Sequence, residues 1–309
     1  MISRRKLIRA SAGLIAAPFV LRLPRARASG NLVINPSFDA ANWGSAPAAV
    51  TNGLAAAISQ IEALVAIPVT INLKFGYGAC APFISSGDVT GLAFTDWTEA
   101  TTVSTNYTAV RNALIANAKT TEATNAIAAC VPSSDPIKAL DASATWRLTG
   151  AHAVLLGLLS TSAILGYTAI TSSFTPFYPS GSPVANAYDA TSVFMHEITE
   201  SLGRVFIASN FASSYGPLDL FRWASSGTRA IGSTGSYFSI DGGITNINDF
   251  WSNPSTADAY DWSGNTPDSF NGRGTLGASE PLSAGDQTLM DAIGWSAANT
   301  GQQTFGFVQ

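Results

Sequence analysis

A histidine and two glutamates fall within five residues, at His196, Glu197 and Glu200. On an α-helix, residues four apart lie on one face, so the His196 imidazole and the Glu200 carboxylate can reach one metal ion. Imidazole nitrogen and carboxylate oxygen are both ordinary zinc ligands, at roughly 2.0–2.2 Å. Glu197 sits about 100° further round the helix. That is beside such an ion and not on it, where a general base for a bound water belongs. The plain alternative is a salt-linked His196–Glu200 pair on a helix, worth a few tenths of a kcal/mol.

A catalytic zinc takes three protein ligands and a water, so a third ligand is required. The only other histidine, His152, lies in the helical apolar run Leu148, Ala151, Leu155, Leu158, and reads as a structural histidine. The third ligand is therefore expected to be oxygen. Asp219, in the stretch from Tyr215 to Arg222, is the first candidate, beyond a loop that could fold back, and Asp241 is the second. Two carboxylates make an ion less Lewis-acidic than three imidazoles would, which brings harder ions such as Mn²⁺ or Ca²⁺ into range beside zinc. The group Asp241, Asn246, Asn248 and Asp249 has calcium-type donors without the EF-hand spacing, and turn chemistry accounts for it.

Helical elements must hold this motif. Asp189 can cap a helix in which Met195, Ile198 and Leu202 form a buried stripe, and Gly203 permits a sharp exit. Upstream, Leu32–Asn35 is a short β-type run, Val50–Ala66 a helix, Val69–Phe75 a half-buried strand and 79–98 a loop. Tyr107–Ala118 follows as a helix and Ala126–Asp141 as a connection. Thr145–Leu148 is a brief strand, Thr149 caps a helix over Gly150–Leu159, and Ala163–Ser172 is a strand. Past Ala208 the chain is rich in Gly, Ser, Asn and Asp, until a last helix over Ala284–Ile293. The pattern predicts helices and short strands in one domain, with a C-terminal part rich in turn-forming residues.

No G-x-S-x-G elbow and no glycine-rich phosphate loop occurs in the chain. Glu197 and Glu200 are too close along one turn to flank a glycosidic bond.

The N-terminus carries Arg4, Arg5, Lys6 and Arg9, an apolar run from Ala10 to Leu21 and then Ala26-Arg27-Ala28. This is the layout of a cleaved export signal over residues 1–28, leaving a domain of 29–309. The arginine pair between Ser3 and Leu7 points to the twin-arginine route, with a Sec-type signal as the alternative. The apolar run is too short to span a bilayer, so no permanent membrane anchor is expected, and the destination is periplasmic or extracellular. Cleavage removes seven of the 16 basic residues and none of the 20 acidic ones, leaving a net charge near −11. Such a surface repels phosphate backbones and argues against nucleic acid as a partner. In an oxidising compartment Cys80 and Cys130 are expected to pair, closing a loop worth roughly 4 kcal/mol.

The stretch from Met195 to Arg204, MHEITESLGR, resembles exported bacterial zincin-type metalloproteases that carry H-E-I-x-E-x-x-G-R where relatives carry H-E-x-x-H-x-x-G. The pieces PLDLFR (217–222), YFSIDGG (237–243) and LMDAIGW (289–295) are similar to segments of that group, in the same order. The likeness runs from Leu32 to Trp295. It implies a zinc ion held by His196 and Glu200, a base at Glu197 and a peptide or protein substrate. It also implies a zincin fold, a single α+β domain in which a small twisted mixed sheet packs on helices beside the motif helix, with the cleft between that sheet and a loop-rich C-terminal part. Phe206 stands where metzincins carry a third histidine, and no Met-turn is identifiable, Met290 being placed in a helix. The expectation is an exported zincin-like metallopeptidase. The alternative is a catalytically inactive secreted binding or surface protein on the same scaffold.

Overall fold

The computed structural model describes residues 31–78, 80, 96–172, 177–178, 183–207, 212–232, 235–253 and 257–296, which form an α+β fold. The first half contributes β1 (Val33–Phe38), α1 (Ala48–Leu64), β2 (Thr70–Tyr77), β3 (Asp96–Glu99), β4 (Thr102–Thr105), α2 (Tyr107–Asn117) and α3 (Thr121–Cys130). Next come β5 (Thr145–Thr149), α4 (Gly150–Leu155), β6 (Ile164–Ile170), the short pair β7 (Phe177–Tyr178) and β8 (Tyr188–Asp189), and the motif helix α5 (Ala190–Ser201).

The main sheet has the order β1-β2-β6-β3. The first three strands run parallel, with β1 and β2 in register from Val33↔Thr70 to Phe38↔Phe75, and β3 pairs antiparallel with β6 at the edge. In β2 the alternation of Ile71, Leu73 and Phe75 with polar residues sends the apolar set into the core. The helix α1 answers with Val50, Leu54, Ala57, Ile58 and Ile61, all buried at helical spacing. It meets α5 almost backbone to backbone: a Cβ on Gly53 would stand 2.6 Å from the Ala190 Cβ. Gly166 of β6 does the same for the far end of α5, since a Cβ there would come 3.0 Å from Ser201 Oγ. Two small residues thus let the motif helix lie close on the sheet and on α1.

The C-terminal part is built from short strands, β9 (Ser214–Tyr215), β10 (Arg222–Ser225), β11 (Thr228–Arg229), β12 (Tyr237–Phe238) and β13 (Asn248–Asp249), and ends in α6 (Ala284–Met290). β9 joins β4 and β5, while the other four form a sheet of their own. After α6 the chain makes a wider turn over Asp291–Trp295, broken by Gly294 at φ 94°. This end returns to the first half, where Thr288 Oγ1 donates to Glu122 Oε1 at 3.1 Å and Ala66 N–H to the Ser296 carbonyl at 3.0 Å. One hydrophobic cluster runs from Leu32 to Trp295. No helix among the described residues is long and apolar enough to cross a membrane.

Several expectations are corrected. The edge strand β3 begins in the last residues of 79–98, read as loop, of which 79 and 81–95 lie outside the described residues, and α3 runs into the start of the stretch read as a connection. The helix after Thr149 stops at Leu155, short of Leu159, and the chain leaves it through Gly157 at φ 71°. Cys80 and Cys130 are not bonded to each other. Cys80 packs against Ala169 on the sheet, whereas Cys130 closes α3 with Sγ 3.8 Å from the Ser239 carbonyl oxygen. Burial pushes these thiols up to about 12 and about 11 respectively. The export signal expected over 1–28 lies outside the described residues.

Candidate metal centre

The helix carrying the motif is fixed at both ends. At its start Asp189 Oδ1 accepts from the N–H groups of Thr191 at 2.9 Å and Ser192 at 3.3 Å, as the sequence predicts. At its end Gly203 N–H donates to the Glu200 carbonyl and Arg204 N–H to that of Thr199, the paired bonds of a Schellman turn. Gly203 has φ 112°, and a Cβ there would strike the His152 ring at 2.1 Å. His152 is buried, with Nε2–H donating to the Ile293 carbonyl at 2.9 Å. Burial lowers its pKa to about 4, so it is a neutral core histidine.

Within α5 the His196 Nε2 lies 2.9 Å from Glu200 Oε1, as helical spacing requires. The third group is Asp261, whose Oδ1 is 3.3 Å from the same nitrogen. One atom from each of these residues lies within 4.8 Å of the others. Asp261 is delivered by a tight reciprocal turn: its N–H donates to the Asp258 carbonyl, and its Oδ2 accepts from Asp258 N–H at 3.1 Å. The neighbouring Trp262 anchors that turn from inside the core, its Nε1 donating to Asp286 Oδ1 at 2.6 Å.

Opposite Nε2, the His196 Nδ1 is 2.8 Å from the Ser269 carbonyl oxygen. A carbonyl can only accept, so Nδ1 carries a hydrogen, and Nε2 faces the two carboxylates. Burial opposes a charge on this ring, but the Asp261 and Glu200 carboxylates outweigh it and hold His196 well above the usual histidine range. Burial pushes Glu200 up, against the pull of His196 and Arg204. For Asp261 burial acts the same way, but His196 and Arg204 prevail and keep it below the usual aspartate range. The Glu200 side chain is 1% exposed and that of His196 16%, so the imidazole is the most exposed member of the cluster.

A cation fits this set. Glu200 Oε2 is buried without a hydrogen-bond partner, the one carboxylate oxygen among the described residues in that condition. A desolvated acceptor left so costs about 1–3 kcal/mol, more if charged. One imidazole nitrogen and carboxylate oxygens are donors that zinc and its harder neighbours accept.

The remaining sequence candidates fall elsewhere. Glu197 follows His196 on α5 and is buried, but is not one of the three clustered groups. Asp219, expected to complete the site, lies in a 3₁₀ turn over Pro217–Phe221, where its Oδ2 accepts from Gly216 N–H at 2.8 Å. Asp219 is therefore not among the three clustered groups, and the carboxylate found beside His196 and Glu200 is that of Asp261. Asp241 Oδ1 likewise accepts from Ser239 Oγ at 2.6 Å and Thr245 N–H at 2.9 Å, and Asp249 Oδ1 from Asn246 Nδ2 at 2.8 Å. Turn chemistry does account for that group. Phe206 packs edge-on against Phe250 and under the Arg222 guanidinium.

Comparison with family models, with curated proteins and with solved structures gives no match of the chain in any of the three.

Proposed function

We propose that the protein is a metal-dependent peptidase, with His196, Glu200 and Asp261 as metal ligands and Glu197 as general base. The observation that carries this reading is the meeting of one imidazole nitrogen with two carboxylates, one of which keeps a buried oxygen without a partner. Three protein donors match the ligand count of a catalytic zinc site. A divalent ion bound there would polarise a substrate carbonyl and lower the pKa of its water. The chain's own residues supply the rest. The Ser269 carbonyl, by holding the hydrogen on Nδ1, would leave the Nε2 lone pair to an ion that displaces the Nε2 proton. Glu197, one residue along the helix, would take the proton of the attacking water and pass it to the leaving amine. The parallel sheet with an antiparallel edge strand beside the motif helix is compatible with a zincin scaffold. Export, and zinc as the ion, belong to the same reading.

The test is the metal content of the chain 29–309 beside three variants. About one zinc per chain is expected in the wild type and in Glu197→Gln, and none in Glu200→Ala or Asp261→Asn. Glu197→Gln should also lose hydrolysis of an unfolded protein substrate. Absence of metal from the folded wild type would sink the reading, and loss of metal from Glu197→Gln would make Glu197 a ligand.

A second reading has its own observation. With His196 protonated, two cations and two carboxylates balance one another in the cluster without any ion. Such a site suits a secreted binding protein, whose fold and partner affinity would survive chelation, whereas the peptidase would lose turnover.

A further inference from the structure

Arg204 is the member of the cluster to which the proposed function gives no part. It lies beyond the end of α5, and the turn at Gly203 sends its side chain back along the helix. It is 0% exposed, and every guanidinium N–H finds an acceptor. Nε donates to Thr199 Oγ1 at 3.1 Å, one terminal nitrogen to the Tyr260 carbonyl at 3.4 Å and Asp261 Oδ1 at 2.9 Å, the other to the His196 carbonyl at 3.3 Å and Glu200 Oε1 at 2.8 Å. Five donors are all that a guanidinium has. Its plane is further fixed by the Phe270 ring, 4.4 Å away.

Two features of this arrangement bear on a cation. The oxygens that Arg204 holds, Glu200 Oε1 and Asp261 Oδ1, are the same two that face His196 Nε2. A rigid planar fork spanning both carboxylates sets their separation, which a lysine ammonium cannot do. Charge is the second feature. A zinc set of two neutral imidazoles and one carboxylate presents a charge of −1, and one imidazole with two carboxylates presents −2. The arginine returns that sum to −1.

Resting on the metal reading above, we infer that Arg204 is a positioning residue. It fixes Glu200 and Asp261 against each other and restores to a one-imidazole site the net charge of a two-imidazole one. Glu200, where relatives carry the second histidine, and the arginine four residues later are then one device: the arginine cancels the charge that the glutamate adds.

The experiment uses the chain 29–309 with Co²⁺ as the probe, in the wild type and in Arg204→Lys, Arg204→Gln and Thr199→Val. Affinity is read by competition with a chromophoric chelator, and the visible absorption of the Co²⁺-loaded chain is followed with pH. Arg204→Lys keeps the charge and loses the fork, so affinity should fall about 10- to 100-fold with the spectral midpoint little changed. Arg204→Gln loses both, and its midpoint should rise by about one pH unit or more, because a positive charge beside the ion is gone. Wild-type affinity and midpoint in both folded Arg204 variants would overturn the inference. Should neither fold, Thr199→Val decides, since it removes one guanidinium acceptor and meets the ligands only through its hydroxyl bond to the His196 backbone carbonyl, at 2.8 Å. A loss of more than about twofold supports the inference and a smaller one overturns it. A wild type that binds neither Co²⁺ nor Zn²⁺ overturns the metal reading and this inference together. A wild type that binds while its variants match it overturns only the part given to Arg204.

Discussion

Glu280 is a second acidic group folded in beside the cluster without joining it. It is 3% exposed, its Oε1 accepts from Thr275 N–H at 2.7 Å, and its carbonyl accepts from the hydroxyls of Ser192 and Ser269. Burial pushes its carboxyl up to about 7 from 4.5. The unfolded chain ionises this group above pH 4.5, but the folded chain resists until about 7, so its contribution to stability falls as pH rises between those values and stays lost above them. Glutamine keeps the acceptor and drops the charge. Glu280→Gln should match the wild type near pH 4 and exceed it near pH 8 by up to about 3 kcal/mol in urea unfolding, and an equal gain at both pH values would show that burial of the charge is not the cause. His152 has the opposite sign. Its folded pKa of about 4 lies below 6.5, so the stability it contributes is full above 6.5 and lost as pH falls towards 4. At this scale the sequence was partly legible. Helical periodicity alone puts His196 and Glu200 on one face, and the poverty of histidine turned the search for a third group to oxygen. Which oxygen was out of reach, because Asp219 and Asp261 each close a local turn with one carboxylate oxygen, and only the fold brings the other oxygen of Asp261 to within 3.3 Å of His196 Nε2.

At the scale of elements, the motif helix depends on what stops it. Gly203 has a backbone that L-residues rarely adopt and no room beside His152, so Gly203→Ala should destabilise the chain by more than about 2 kcal/mol. Because the same turn returns Arg204 to the cluster, this variant should also bind zinc more weakly although no ligand is changed. Wild-type melting and metal content together would remove the turn from the account. Both ends of α5 were readable, since Asp at a cap and Gly at an exit each act through bonds to nearby backbone. The helix α3 was not. Its inward residues Ala123, Ala126, Ile127 and Cys130 have the right spacing, but alanines contrast little with their neighbours. The edge strand β3, Asp96–Glu99, carries none of the apolar alternation that marks β2, and its identity comes from pairing with β6.

For the whole molecule, the two cysteines give the simplest check. The thiols sit in separate clusters, so a reducing agent should leave the melting temperature unchanged within about 2 °C. A bridge worth roughly 4 kcal/mol would shift a chain of this size by more than that when broken. Compartment suggested a pair that packing does not make, because composition carries no information on whether two side chains meet. Helices and strands were legible from their periodicities and the α+β class from the family likeness, whereas the joining of α5 to the segment around Trp262 rests on contacts far apart in the chain. That distance has a consequence for the order of events in synthesis. Asp261 lies 57 residues after Arg204, and Ser269, which orients His196, comes later still. While the ribosome is still making that interval, the sheet and the motif helix can already exist, with two carboxylate-bearing turns of helix and an arginine but no complete cluster. Of the three clustered groups, a nascent chain at that stage has only His196 and Glu200. The centre described here can therefore form only after the C-terminal part has emerged and closed over α5, which makes its completion a late marker of folding and separates the making of the scaffold from the making of the site.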